Sequence, residues 1–241
     1  MSALPKHIEE IHPSLWRANQ LARQVGRVVP TGYDNLSTEL PGGGWPVGAL
    51  TELLLQQPGI GEMRLLQPAL TQVSKRPIVL IKPPHEPSGH GLHHIGIPIE
   101  KLLLLKTETS ADTLWSAEQV LKAGTCGAVL MWQQHMRADA LRRLSLASQS
   151  AETMLFILRP LAVQQDASPA ALRIGLRPST RGVMIDIVKR KGPLGTEPFE
   201  VVLKHSPILF SEHGRMTRQP TKVARKLTPL PIPVSVLDDD A

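Results

Sequence analysis

Residues 49–63 read Ala-Leu-Thr-Glu-Leu-Leu-Leu-Gln-Gln-Pro-Gly-Ile-Gly-Glu-Met. Residues 49–55 form a strand-length apolar run, and the proline and two glycines that follow force a turn. Residues 62–73 then take up helical spacing, with Pro68 inside the pattern. The rest of the chain repeats this unit. Strands are expected at 77–81, 102–105, 127–132 and 154–158, and helices at 110–123 and 137–148. Ser110 is the expected N-cap and Gly124 the stop of the first of these helices. Short apolar strands alternating with helices predict an α/β fold with a mostly parallel sheet covered on both faces.

Outside this region the pattern changes. Residues 8–25 predict a helix with one apolar face, interrupted at Pro13. Residues 40–48, Leu-Pro-Gly-Gly-Gly-Trp-Pro-Val-Gly, force turns, and residues 83–98 read as a loop rich in Pro, Gly and His. After Ala170, residues 172–177, 183–189 and 199–203 predict antiparallel strands, and from Glu212 the apolar periodicity stops. The expected domains are therefore an N-terminal helical segment (1–26), a core (27–211) and a basic, proline-containing flexible tail (212–241).

Composition narrows the function. Aromatic residues are 3% of the 241, which disfavours a stacking platform for single strands. The single cysteine, Cys126, leaves no disulfide framework and no cysteine-based zinc site, and it reads as a packing residue. No apolar run approaches membrane-spanning length and none resembles a signal peptide, so a cytoplasmic protein is expected. The net charge is +6, but Arg173 to Lys226 holds 12 basic and 4 acidic residues. That segment predicts an anionic partner, either nucleic acid or an acidic protein surface.

The order of these pieces resembles the RecA family over residues 27–205. The similarity is carried by Thr31-Gly32, the turn at 40–48, Thr51-Glu52-Leu53, Ile99-Glu100-Lys101-Leu102-Leu103 and Ala140-Leu141-Arg142-Arg143-Leu144. It extends to Phe156-Ile157 and to the hairpin containing Ile187-Val188-Lys189-Arg190-Lys191. The resemblance implies a RecA-like core, but one without nucleotide chemistry. A phosphate-binding loop needs backbone amides, a lysine and a metal-binding hydroxyl in the pattern G-x-x-x-x-G-K-[ST]. The matching window has Gln56 at the first glycine, Gly59 and Gly61 within it, Glu62 for the lysine and Met63 for the hydroxyl. A carboxylate in place of that ammonium disfavours a phosphate by about 4 kcal/mol per charge at ~4 Å and an effective dielectric of 20. Pro84 falls at the catalytic glutamate, Trp132 at the Walker-B aspartate and Arg159-Pro160 at the sensing Asn-Gln pair. The implied protein is not an enzyme and has no cofactor.

Two families resemble such an emptied core. ImuA is the accessory protein of a damage-inducible translesion synthesis cassette; SulA is the SOS cell-division inhibitor that binds FtsZ. The turn at 40–48, the strand exit Ile81-Lys82-Pro83-Pro84-His85 and the basic tail favour ImuA, while SulA is similar in the middle of the chain. The ImuA resemblance implies an adaptor between ImuB (a Y-family-like protein), the error-prone polymerase III alpha-type subunit and RecA, with possible direct DNA contact. A residual DNA-dependent ATPase is the third reading. The candidate partner- or DNA-binding residues are Lys189, Arg190 and Lys191 on the hairpin, and Arg215, Arg218, Lys222, Arg225 and Lys226 in the tail. His85, His90, His93 and His94 cluster without the matched ligands of a metal site, so no metal is expected.

Overall fold

The computed structural model describes residues 26–94, 96–192 and 197–203; the expected helix at 8–25, the tail and its five candidate basic residues lie outside them. In chain order the elements are β1 (Val28–Pro30), α1 (Asp34–Glu39), β2 (Gly44–Pro46), β3 (Leu50–Leu55), α2 (Glu62–Val73), β4 (Ile78–Ile81), α3 (Gly89–His94) and β5 (Leu102–Leu105). Then come α4 (Ser110–Ala123), β6 (Ala128–Trp132), α5 (Ala138–Gln149), β7 (Met154–Pro160), β8 (Leu172–Pro178), β9 (Gly182–Lys189) and β10 (Phe199–Val202).

β3 to β10 form one eight-stranded sheet in the order β10-β9-β8-β3-β7-β6-β4-β5, and β1 and β2 form a separate antiparallel ribbon. Five of the seven pairings in the large sheet are parallel; β8–β9 and β9–β10 are antiparallel. The alternation of strands and helices thus yields the mostly parallel sheet it predicts. One refinement concerns β8, which runs parallel to β3 while pairing antiparallel with β9.

Side chains alternate across the strands and fill two cores. Ile78, Leu80, Leu130 and Phe156 pack with Leu65, Leu66, Ala69 and Leu70 of α2 on one face. Val79, Ile81, Val129 and Ile157 pack with Ala117 and Leu121 of α4 and Leu141 and Leu144 of α5 on the other. Burial on both faces is why the strands read as continuous apolar runs. Trp45, from β2, meets Phe156 edge to face, with ring centroids 5.4 Å apart.

Pro68 lies inside α2, where it has no N–H to offer the carbonyl of Arg64. The hydroxyl of Tyr33 donates to that carbonyl at 3.0 Å. Gly32 makes room for the arrangement: a Cβ there would stand 2.4 Å from Cβ of Pro68. Burial raises the Tyr33 pKa above its ordinary value. Tyr33→Phe would orphan the carbonyl, and urea unfolding is expected to show a loss of about 1–3 kcal/mol.

Two local readings change. The loop at 83–98 contains the short helix α3, where Ser88 Oγ accepts from the amide of Gly91. The N-cap of α4 is Thr109 rather than Ser110: Thr109 Oγ1 accepts from the Asp112 amide at 3.1 Å and donates to the Asp112 carboxylate at 2.7 Å. Gly124 ends α4 at φ 62, as its sequence position predicts.

Glu118 joins α4 to α5 by accepting from Arg143, and it also pairs with Lys122 at 2.9 Å. Hydrogen bonds from Lys122 and then Arg143 hold its pKa below the usual carboxylate range. A depressed folded-state pKa stabilises the fold above the unfolded value, and that contribution is lost as pH falls through the folded one. Chemical unfolding across pH 6 to 3 is expected to fall less steeply in Glu118→Gln than in the parent chain.

Candidate functional site

The carboxyl ends of β3, β4, β6 and β7 converge on one cleft of about 730 Å³. Its walls come from the loop after β3, the exit of β4, the first residue of α4 and the loop after β6. In open α/β sheets this crevice beyond the strand ends is the usual ligand position. It brings together Gln56, Pro84, Trp132 and Arg159, which the sequence places far apart and which the RecA resemblance reads as emptied positions.

The loop after β3 is closed by its own carboxylate. Gln56 N–H donates to the Leu176 carbonyl at 3.0 Å and anchors the start of the loop to β8. Gly59 and Gly61 sit at φ 83 and φ 119. A Cβ at Gly61 would stand 2.5 Å from Leu203 Cδ1, so the turn into α2 needs glycine there. Glu62 folds back: one carboxylate oxygen accepts the Gly59 amide at 2.8 Å and the other the Gly61 amide at 3.1 Å. Glu62 is 4% exposed and stands in the first turn of α2, where the helix dipole favours an anion. The loop amides that would cradle a phosphate are thus occupied by an internal carboxylate. Met63, at the place of the metal-binding hydroxyl, packs against the core.

Glu52 forms a second constellation, one that the strand pattern does not announce. It is fully buried in β3, between Arg173 on β8, its register partner, and Arg159 on β7. Arg173 Nε donates to one Glu52 oxygen at 2.6 Å and Arg159 Nη1 to the other at 2.9 Å. Arg173 directs three of its four remaining N–H groups to the carbonyls of Val163, Gln164 and Asp166, which fixes the chain between β7 and β8. The available signal was a glutamate within an apolar run: a charge in a strand buried on both faces requires a partner.

Among the described residues, the basic side chains that follow β7 are largely engaged within the protein. Lys189 Nζ donates to the Ser168 carbonyl at 2.7 Å, and Arg190 pairs with the Glu39 carboxylate at 2.9 Å. Arg181 pairs with Glu200 at 2.9 Å, and Arg177 lies 3.9 Å from Asp186. Lys191 follows the end of β9 and is exposed. Among the described residues no group of three or more His, Cys, Asp or Glu side chains could hold a metal. None of the described helices is long and apolar enough to cross a membrane.

Glutamine in place of Glu62 keeps one acceptor but turns an NH2 donor toward the other loop amide and removes the charge. Glu62→Gln is expected to lower stability by about 1.5–3 kcal/mol in chemical denaturation, the range for hydrogen bonds to a charged group.

Comparison with known proteins places the similarity in the centre of the chain. The family model described as cell division inhibitor SulA matches residues 48–155. A cell division inhibitor SulA from Serratia marcescens is 27% identical over 124 residues, covering 51% of this chain and 72% of that protein. The SulA of Photorhabdus laumondii is 30% identical over 115 residues, 47% of this chain and 65% of that protein. The crystal structure of SulA from Pseudomonas aeruginosa aligns at 26% identity over 46% of this chain and 97% of that chain, with a TM-score of 0.39. The family-model match and the two SulA relatives overturn the expectation of an ImuA-type translesion accessory protein. That expectation leans on the turn at 40–48, the strand exit at 81–85 and the tail; of these only the strand exit lies wholly within the matched stretch, and the stretch as a whole is similar to SulA.

Proposed function

We propose that this chain is a SulA-type cell-division inhibitor that acts by binding a partner protein in stoichiometric amounts. The observation that carries the reading is the SulA family match over 48–155, which spans β3 to the start of β7 and so contains most of the cleft's walls. By the same resemblance the partner is FtsZ and the setting is the SOS response. The sheet order and the glycine loop leading from β3 into α2 support descent from a RecA-type core.

Action without nucleotide turnover is part of the proposal. Glu62 fills the loop amides, Met63 packs where a hydroxyl would bind metal, and Trp132 and Pro84 occupy positions that need carboxylates. Glu62→Lys would not restore a phosphate site, because the hydroxyl and both carboxylates would still be missing.

Overproduction of the full chain is expected to elongate its host cells, and an equimolar amount of the purified chain to reduce the sedimentable polymer of FtsZ from the same organism. Unchanged polymer at equimolar ratio sinks the inhibitor reading, and steady ATP turnover by the pure protein sinks the non-catalytic one.

A further inference from the structure

We propose that the cleft at the carboxyl ends of β3, β4, β6 and β7 binds a small organic anion, held by Lys82, Arg159 and Trp132 at one pole and by apolar walls along its body. The inference does not depend on the division-inhibitor reading.

The cleft is charged one way. Lys82 and Arg159 line it, His135 joins them at its rim, and no aspartate or glutamate is among the lining residues. Arg159 is 3% exposed; it shares the Glu52 carboxylate with Arg173 and has a second carboxylate, Asp166, 3.9 Å from its Nη2, so Lys82 is the lining cation that carries the cleft's net charge.

It also holds unmet donors. Arg159 Nε and Trp132 Nε1 are buried and have no hydrogen-bond partner. Trp132 pairs in register with Leu158, so these two donors come from the ends of neighbouring strands. Buried donors without acceptors are uncommon, and each costs about 1–3 kcal/mol, so two in one wall point to an acceptor that arrives from outside. Gln133 Oε1 is a third buried atom without a partner, while its Nε2 ties Ser110 Oγ to the His135 carbonyl and shapes the opposite wall.

The backbone at the rim is strained. Lys82 is the one non-glycine residue at positive φ among the described residues, at 51°. Its amide donates to the Leu105 carbonyl at 3.0 Å, which holds the turn, and its side chain has no ion pair or hydrogen bond among the described residues. A lysine kept in a conformation that suits glycine, beside a cleft, reads as positioned for a ligand.

Shape and charge select the ligand class. The volume lies in the range of small-molecule sites, well above what a single phosphate needs. Pro58, Pro83, Leu158, Pro160 and the Trp132 ring supply apolar wall. A nucleotide is disfavoured because the loop amides are already taken by Glu62. One carboxylate, sulfonate or phosphate group on an apolar body fits all three conditions.

The test uses the full chain and anilinonaphthalene sulfonate, with ATP and inorganic phosphate as comparison ligands. Binding is read from the indole N–H resonance of Trp132, assigned with Trp132→Phe. The expected result is a saturable one-site shift of that resonance, with ATP binding no tighter than inorganic phosphate. Lys82→Gly removes the ammonium while giving the φ 51° position a residue that adopts it freely, and it is expected to weaken binding about tenfold or more. Lys82→Arg retains the charge and the binding. The proposal is overturned by a Trp132 resonance that does not move at saturation, by equal affinity in Lys82→Gly, or by ATP binding tighter than the sulfonate.

Discussion

Glu52 sits where three strands meet, and its two ion pairs decide how the centre of the sheet is assembled. A carboxylate in a strand buried on both faces is stable only with its charge matched and its lone pairs filled. Arg173 and Arg159 do this from the two neighbours of β3, so one residue cross-links β7, β3 and β8. Arg173 then continues outward to three carbonyls of the connection between β7 and β8. The same network delivers Arg159 to the lining of the cleft. Replacing one partner of such a buried group is far more damaging than replacing the whole set by apolar residues. The placement of Arg159 in the cleft's lining is therefore a by-product of what holds the central strands in register.

Glu62 shows the same economy at the loop. At the phosphate-binding loops of nucleotide-binding α/β folds an external anion satisfies the amides at the start of the helix. Here the first helical residue supplies the anion, and the loop keeps its turn glycines while the ligand becomes part of the chain. This accounts for a glycine-bearing loop that persists beside a residue repelling phosphate. It also separates two regions that are one in a phosphate-binding core: the closed amide cradle and the open cleft beyond it.

The alternation of apolar runs with helical spacing made the sheet legible, because strands covered on both faces must be apolar throughout. The chemical types of Glu62, Met63, Trp132 and Pro84, which do not suit a nucleotide site, are legible too. What the string of residues could not display was their relation in space. Nothing local says that the Glu62 carboxylate turns back onto Gly59, or that Glu52 finds Arg173 some 120 residues later. The hydroxyl of Tyr33 serving the carbonyl that Pro68 strands is a tertiary contact of the same kind. The basic hairpin has the same property: a run of cations carries no mark of the contacts that Lys189 makes with Ser168 and Arg190 with Glu39. Flanking segments misled about kinship, because distinctive turns and tails drew weight away from the core.

The sheet order also has a kinetic meaning. β3 leaves the ribosome early, yet both its neighbours, β7 and β8, follow about a hundred residues later. At ~5–20 residues per second that interval is roughly 5–20 s. Throughout it the nascent chain carries an unpaired six-residue strand, Leu-Thr-Glu-Leu-Leu-Leu, with its glutamate unmatched. The stretch shared with SulA ends at residue 155, inside β7 and before β8, so it is a unit of kinship that stops short of a unit of folding. Synthesis of this protein thus holds a buried strand of its sheet centre open until the last parallel strand arrives, which makes it a natural client for chaperones that guard emerging chains.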